Sequence, residues 1–312
     1  MTELLPATPQ GIARAAALLR DGVPVAVPTE TVYGLAARAD RAEAVAAIYR
    51  TKGRPSFNPL IVHVLSVVEA RQLGQLDDRA EALAAAFWPG PLTIVVPVRE
   101  DSEDSKVVPA VTAGLPTVAL RVPAHPLMRA VLAATGLPLA APSANRSLGV
   151  SPTTPAHVMA SLGHGVAAVL DGGACLQGVE STIVALRPAG QWSLLREGPV
   201  TCGELVALLG CEPVDAGGGI EAPGQMRRHY APGKPLRLNA ATAAADEYLI
   251  GFGPVAGHCT LSASGDLAEA AARLYAALHQ AAAADQPRIA VAPVPVAGIG
   301  AAINDRLRRA AA

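Results

Sequence analysis

The sequence predicts an α/β protein: a mixed sheet covered by helices, then a linker and a second, smaller α/β domain. Three observations carry this. Short continuous apolar runs such as "VPVAVP", "LIVHV" and "LTIVVPV" alternate with alanine-rich segments of helical period, the pattern of buried strands in a helix-covered sheet. The 312 residues are 51% hydrophobic but only 3% aromatic, which suits a large core built from short side chains. Composition then shifts to Gly and Pro in "DAGGGIEAPGQMRRHYAPGKPLRL", Asp215 to Leu238, where regular structure is blocked.

The elements follow in order. "GIARAAALLRDG" from Gly11 reads as a helix ending in Asp21-Gly22, and "VPVAVP" as a strand delivering "TETVYGL" at its carboxyl end. A helix through "RAEAVAAIY" leads into "KGRPSFNP", then strand "LIVHV", a long helix ending near Phe87-Trp88, the Pro89-Gly90-Pro91 turn and strand "LTIVVPV". Further strands at "TVALRV", "AAVLD", "STIVAL" and "WSLLRE" make the sheet mixed. The expected division is a first domain at 1–213, a Gly/Pro-rich linker at 214–238, and a second domain at 239–312. The last holds strand "EYLIGFG", helix "DLAEAAARLYAALHQ", strand "RIAVAPV" and helix "AAINDRLRR".

Several classes are disfavoured. No run of about 18 uninterrupted apolar residues occurs, and "MTELLPATPQ" lacks the pattern of a signal peptide, so a cytoplasmic location without membrane contact is expected. Cys175, Cys202, Cys211 and Cys259 form no CxxC pair and read as reduced core thiols; no protein-held metal is expected. A net charge of −1 argues against a generally basic nucleic-acid binder, so any polyanion has to be met by local cations. Neither a P-loop, a dinucleotide fingerprint, a nucleophile elbow nor an HExxH motif is present.

Polar residues stand in clusters at the ends of the expected strands: Thr29-Glu30-Thr31 with Tyr33; Lys52, Arg54, Asn58 and His63; Thr117 and Arg121; "SANRS" from Ser143; Ser181-Thr182; and Arg196. Ligands of open α/β sheets gather at such ends, so one crevice is expected. Lys52 and Arg54 suit anionic oxygens, as a mobile point charge and a planar fork, and Gly53 between them permits close backbone approach. A solvated surface pair is the competing reading of Lys52 and Arg54, and a satisfied core histidine that of His63. Arg121 lies inside a buried strand, where a charge needs an anionic partner or a cleft.

"PTETVYGL" at Pro28, "KGRPSFNPLIVHV" at Lys52, "PGPLT" at Pro89, "ALRVPAHP" at Ala119, "APSANRSLGVSPT" at Ala141 and "VESTIV" at Val179 resemble, in the same order, the YrdC/Sua5 family. The "RRHYAP" linker and trailing unit resemble its two-domain Sua5 form. The resemblance implies a twisted YrdC-like sheet lining a cationic cavity. It implies a nucleotidyltransferase that makes L-threonylcarbamoyl-AMP and pyrophosphate from L-threonine, bicarbonate or CO₂, and ATP. Mg²⁺ would be carried on the ATP phosphates, with no tightly bound cofactor. The product feeds N6-threonylcarbamoyladenosine at position 37 of tRNAs reading codons that begin with A. A downstream tRNA threonylcarbamoyl transferase and weak direct tRNA binding are the implied macromolecular contacts.

By the same likeness Thr31, His63, Arg121 and Ser181 face threonine. Lys52, Arg54, Asn58, Thr117, Ser143, Asn145, Thr153, Arg196, His229 and Tyr230 face ATP, with Lys52 and Arg54 as the catalytic cations and the segment from Arg227 to Tyr230 folding over the site. Two other readings compete. A double-stranded RNA or tRNA binding module would show salt-sensitive RNA binding and no ATP turnover. A carbamoyl-transfer accessory domain like that of hydrogenase maturation proteins would carry zinc-finger and acylphosphatase-like segments, which this sequence lacks.

Overall fold

The computed structural model describes residues 2–99, 107–226 and 228–312. Ten strands form the first sheet: β1 Glu3–Leu5, β2 Val25–Val27, β3 Gly34–Arg38, β4 Ile61–His63, β5 Leu92–Pro97, β6 Thr117–Arg121, β7 Leu139–Ala140, β8 Ala168–Leu170, β9 Thr182–Leu186 and β10 Trp192–Arg196. Their order is β1-β8-β2-β3-β7-β4-β6-β5-β9-β10, and parallel and antiparallel neighbours are mixed. Helices α1 Pro9–Arg20, α2 Ala42–Lys52, α3 Val67–Leu73, α4 Asp78–Phe87, α5 Pro109–Thr112, α6 Pro126–Thr135, α7 Pro155–Leu162 and α8 Cys202–Leu209 accompany it. The second sheet, β11 Leu236–Arg237, β12 Glu247–Gly251, β13 Cys259–Thr260 and β14 Arg288–Val291, runs β11-β14-β12-β13 with all neighbours parallel. It carries α9 Leu267–Ala283 and α10 Gly300–Ala310. Among the described residues no helix is long and apolar enough to cross a membrane.

Local chemistry explains the boundaries. Strands β2 and β4 are buried at every residue, hence the apolar character of their runs, with His63 the one polar member. Helix α1 starts at Thr8, whose side chain accepts from the Gly11 amide, with Pro9 in the first turn. The single long helix expected before Trp88 is instead α3 and α4. Gly74 lies between them under β5, where an added Cβ would meet Val96 Cγ2 at 2.6 Å, and Asp77 caps α4 by accepting from the Arg79 and Ala80 amides. Gly53 has a structural task besides the one expected. It ends α2 in the left-handed region at φ 60°, so the turn by itself calls for glycine here.

The two sheets share apolar packing. Tyr33, Leu35, Ile48, Leu92 and Trp192 belong to the core of the first sheet. The other large cluster crosses the boundary, joining Val32, Val150 and Val179 to Tyr230 of the linker and to Leu274, Tyr275 and Ile303. Leu236 and Arg237, within the expected linker, already pair with β14.

Candidate active site

The centre of the site is the seam between β4 and β6, whose parallel register sets His63 opposite Arg121. Both side chains are buried. Arg121 Nη2 donates to Glu30 Oε1 at 2.6 Å, Nη1 to Thr31 Oγ1 at 3.1 Å and Nε to the Gly90 carbonyl at 3.1 Å. One N–H on each terminal nitrogen is left over. Burial alone would raise the Glu30 carboxyl, but the Arg121 charge, its hydrogen bond and two backbone amides hold it at about 2. Burial, with Arg121 second, pulls the His63 imidazole down to about 3, so the ring is neutral; its Nδ1 has no hydrogen-bond partner.

Around this seam stand three further buried cations. Lys52 Nζ donates to the Ser143 and Asn145 carbonyls, leaving its third N–H. Arg54 donates to Asn58 Oδ1 at 2.6 Å and to the Asn58 and Pro59 carbonyls. Arg196 holds Ser181 twice, Nε to its carbonyl at 2.9 Å and Nη2 to Oγ at 3.0 Å. Among the described residues none of the three has a carboxylate within ion-pair distance. Burial therefore dominates their titration: Arg54 falls to about 10 and Lys52 is lowered well below its usual value, with Arg54 the second cause. An anion entering here restores what desolvation removed.

The linker closes the space. Ala222 packs on the sheet face against Ile61, Ala119, Ile183 and Leu195, and Glu221 is tied to Arg187 at 2.6 Å. Asn58 Nδ2 reaches Met226 Sδ at 3.5 Å. Pro223, Gly224, His229 and Tyr230 complete the wall of the cavity. His229 is buried, drawn to about 3 by that burial, and its Nδ1 has no partner.

A family model described as Telomere recombination, named for Sua5, YciO and YrdC, matches residues 17–198. The chain belongs to the Sua5/YrdC family. A second model, described as Threonylcarbamoyl-AMP synthase, C-terminal domain, matches residues 200–312, which makes this a two-domain Sua5-type protein. It is 42% identical over 259 residues to the threonylcarbamoyl-AMP synthase of Bacillus subtilis, covering 80% of this chain and 72% of that one. It is 42% identical over 228 residues to the synthase of Pyrococcus abyssi, covering 70% and 64%. The solved structure of P. abyssi Sua5 complexed with L-threonine superposes with a TM-score of 0.89 at 32% identity, over 100% of this chain and 97% of that one.

In this Sua5-type chain the cavity wall includes Thr31, Arg54, His63, Arg121, Ser143, Ser181 and Arg196, together with His229 and Tyr230. Lys52 and Asn145 stand one layer behind, joined through the 143–145 backbone, and Asn145 Oδ1 is unpartnered. Asn58 braces Arg54. Thr117 lies four residues upstream of Arg121, about 13 Å along the strand, on the same face beyond Ala119. Thr153 turns away to meet His157 Nδ1. Arg227 lies outside the described residues. Sequence reasoning gave no role to Glu180, which sits within the quoted "VESTIV" and lines the cavity; Ser151 of the first domain and Tyr275 and Arg306 of the second hold it, partners distant in sequence that leave no local signal.

Proposed function

We propose that this chain joins L-threonine, bicarbonate and ATP into threonylcarbamoyl-AMP with release of pyrophosphate, in the cavity beneath the linker. The activity is that of a threonylcarbamoyl-AMP synthase in N6-threonylcarbamoyladenosine biosynthesis, and it uses ATP. The single observation that supports this placement is the set of buried cations without carboxylate partners among the described residues, Lys52, Arg54 and Arg196, beside the Arg121–Glu30 pair.

Threonine's carboxylate is assigned to the free N–H groups of Arg121, and its amine and hydroxyl to the surroundings of Thr31, His63 and Ser181. The phosphates are assigned to Lys52, Arg54 and Arg196, with Ser143 and Asn145 at the nucleotide, and Asn58 acting through Arg54. Mg²⁺ is assigned to the ATP phosphates, because Glu30 and Glu180 are already engaged by arginine. Threonine's amine attacks CO₂ or dehydrating bicarbonate and loses a proton. The resulting N-carboxylate attacks the α-phosphorus, and the bond to pyrophosphate breaks. No protein nucleophile is needed: Ser181 Oγ is shared with Thr93 Oγ1 at 2.8 Å and with Arg196, with no histidine base. Rate enhancement comes from positioning and from charge stabilisation in a site closed to water. The ranges 1–213 and 239–312 are taken as the domains, and of the 214–238 segment between them the part that precedes β11 is taken as a cover that opens for exchange. The product passes to a tRNA threonylcarbamoyl transferase.

With threonine, bicarbonate, Mg²⁺ and ATP the purified protein is expected to release pyrophosphate. Omitting threonine should lower the rate by about 10²-fold or more, since the attacking carboxylate is then missing. An equal rate with and without threonine excludes the reading.

A further inference from the structure

We propose that Arg306, on the last helix of the second domain, is a positioning residue for the synthesis: it fixes the neighbours of Ser181 and Arg196 and the ring of Tyr230 from across the domain boundary. This rests on reading the cavity as the threonine and ATP site.

Arg306 has no exposed surface. Its Nε donates to Glu180 Oε2 at 2.8 Å and its Nη2 to the Glu197 carbonyl at 2.9 Å. Glu180 precedes Ser181 and Glu197 follows Arg196, so one guanidinium holds the chain beside both members of the Ser181–Arg196 pair. Tyr275 on α9 donates to the same Glu180 oxygen at 2.8 Å, and Ser151 donates to the other at 2.6 Å. The Arg306 guanidinium also lies 5.2 Å from the centre of the Tyr230 ring, which stacks on Tyr275 at 5.6 Å.

Two further contacts show that the second domain grips this region closely. Gly178 has φ +70°, and a Cβ there would lie 2.4 Å from the Ala271 carbonyl oxygen, so the loop leading to Ser181 rests directly on α9. Arg309, one turn from Arg306, donates to the Met226 carbonyl and accepts at its own carbonyl from the His229 amide, holding the cover at two points.

Docking alone does not call for such a network. Val32, Val150 and Val179 already join the domains by apolar packing, and a buried ion pair is often no more stabilising than apolar residues of the same volume. What the fork adds is direction, at the residues adjoining the cavity.

The test compares Arg306→Met, Arg306→Lys and Tyr275→Phe with the natural chain in the full-length protein. Pyrophosphate release is measured with threonine and ATP varied separately, alongside melting and hydrogen exchange without ligand. Arg306→Met is expected to raise the threonine KM about tenfold and lower kcat about tenfold or more, and to speed exchange at 178–182 and 228–232. Arg306→Lys, which keeps the charge without the fork, should recover only part of this. Tyr275→Phe should raise the threonine KM about threefold. A merely structural role lowers melting and the active fraction, so that kcat falls while both KM values and local exchange stay unchanged; that result overturns the proposal. If Arg306→Met does not fold, Tyr275→Phe decides, and an unchanged threonine KM with unchanged exchange overturns it. If the natural chain shows no threonine-dependent release, the reaction assignment fails, and exchange in the ligand-free variants still decides whether Arg306 orders these segments.

Discussion

Replacing Arg121 by lysine is expected to lower kcat/KM for threonine by about 10²- to 10³-fold, the range seen when a directed donor is lost from a closed site. The guanidinium now does three things at once, neutralising Glu30, fixing Thr31 and reaching the Gly90 carbonyl, and it still has N–H groups to offer a carboxylate. Lysine supplies a charge for Glu30 but not the fork that spans these partners. Arg121→Ala is a different experiment: it leaves Glu30 buried and unpaired, at a stability loss of about 3–5 kcal/mol. Kinetics with threonine varied, together with melting of the lysine variant, separate the two. Unchanged threonine dependence in a folded Arg121→Lys protein would remove Arg121 from the threonine site.

Removal of everything after Pro213 is expected to reduce synthesis by about 10²-fold or more, because the cavity loses Pro223, Gly224, His229 and Tyr230 from its wall and water gains access to a labile mixed anhydride. The truncated domain also exposes Val32, Val150 and Val179, so its melting has to be followed. His229→Ala, which deletes one unpartnered ring nitrogen, should give a smaller defect of about tenfold. The measurement is hydrogen exchange across 217–234 with and without threonine and a nonhydrolysable ATP analogue. Slower exchange with ligand supports a closing cover; unchanged exchange at saturation, with full activity of the truncated chain, makes the segment a simple linker.

Strands whose burial is nearly complete were the legible part of the fold: β2, β4 and β5 announce themselves as largely apolar runs. Strand β3 did not, because "GLAAR" has no β-branched residue, and β7, β11 and β13 are two residues long and too short for any period to register. The break between α3 and α4 depends on Val96 crowding Gly74, a contact across the fold that no helical pattern contains. In the site, the need of Arg121 for an anion was readable from its place in an apolar strand, but its partner Glu30 lies 91 residues away. Glu180 and Arg306 are 126 apart, and neither stands out until the two domains are seen together. Thr153 shows the opposite case, a motif residue whose side chain is claimed by His157 on the adjacent helix.

The most direct measurement supplies carbon-13 bicarbonate with threonine, Mg²⁺ and ATP and weighs the nucleotide product by mass spectrometry. If threonine's N-carboxylate is the group that attacks the α-phosphorus in this cavity, the product is threonylcarbamoyl-AMP carrying one labelled carbon between the amine and the phosphate. Threonyl adenylate without the label, formed by attack of threonine's own carboxylate, would contradict the account.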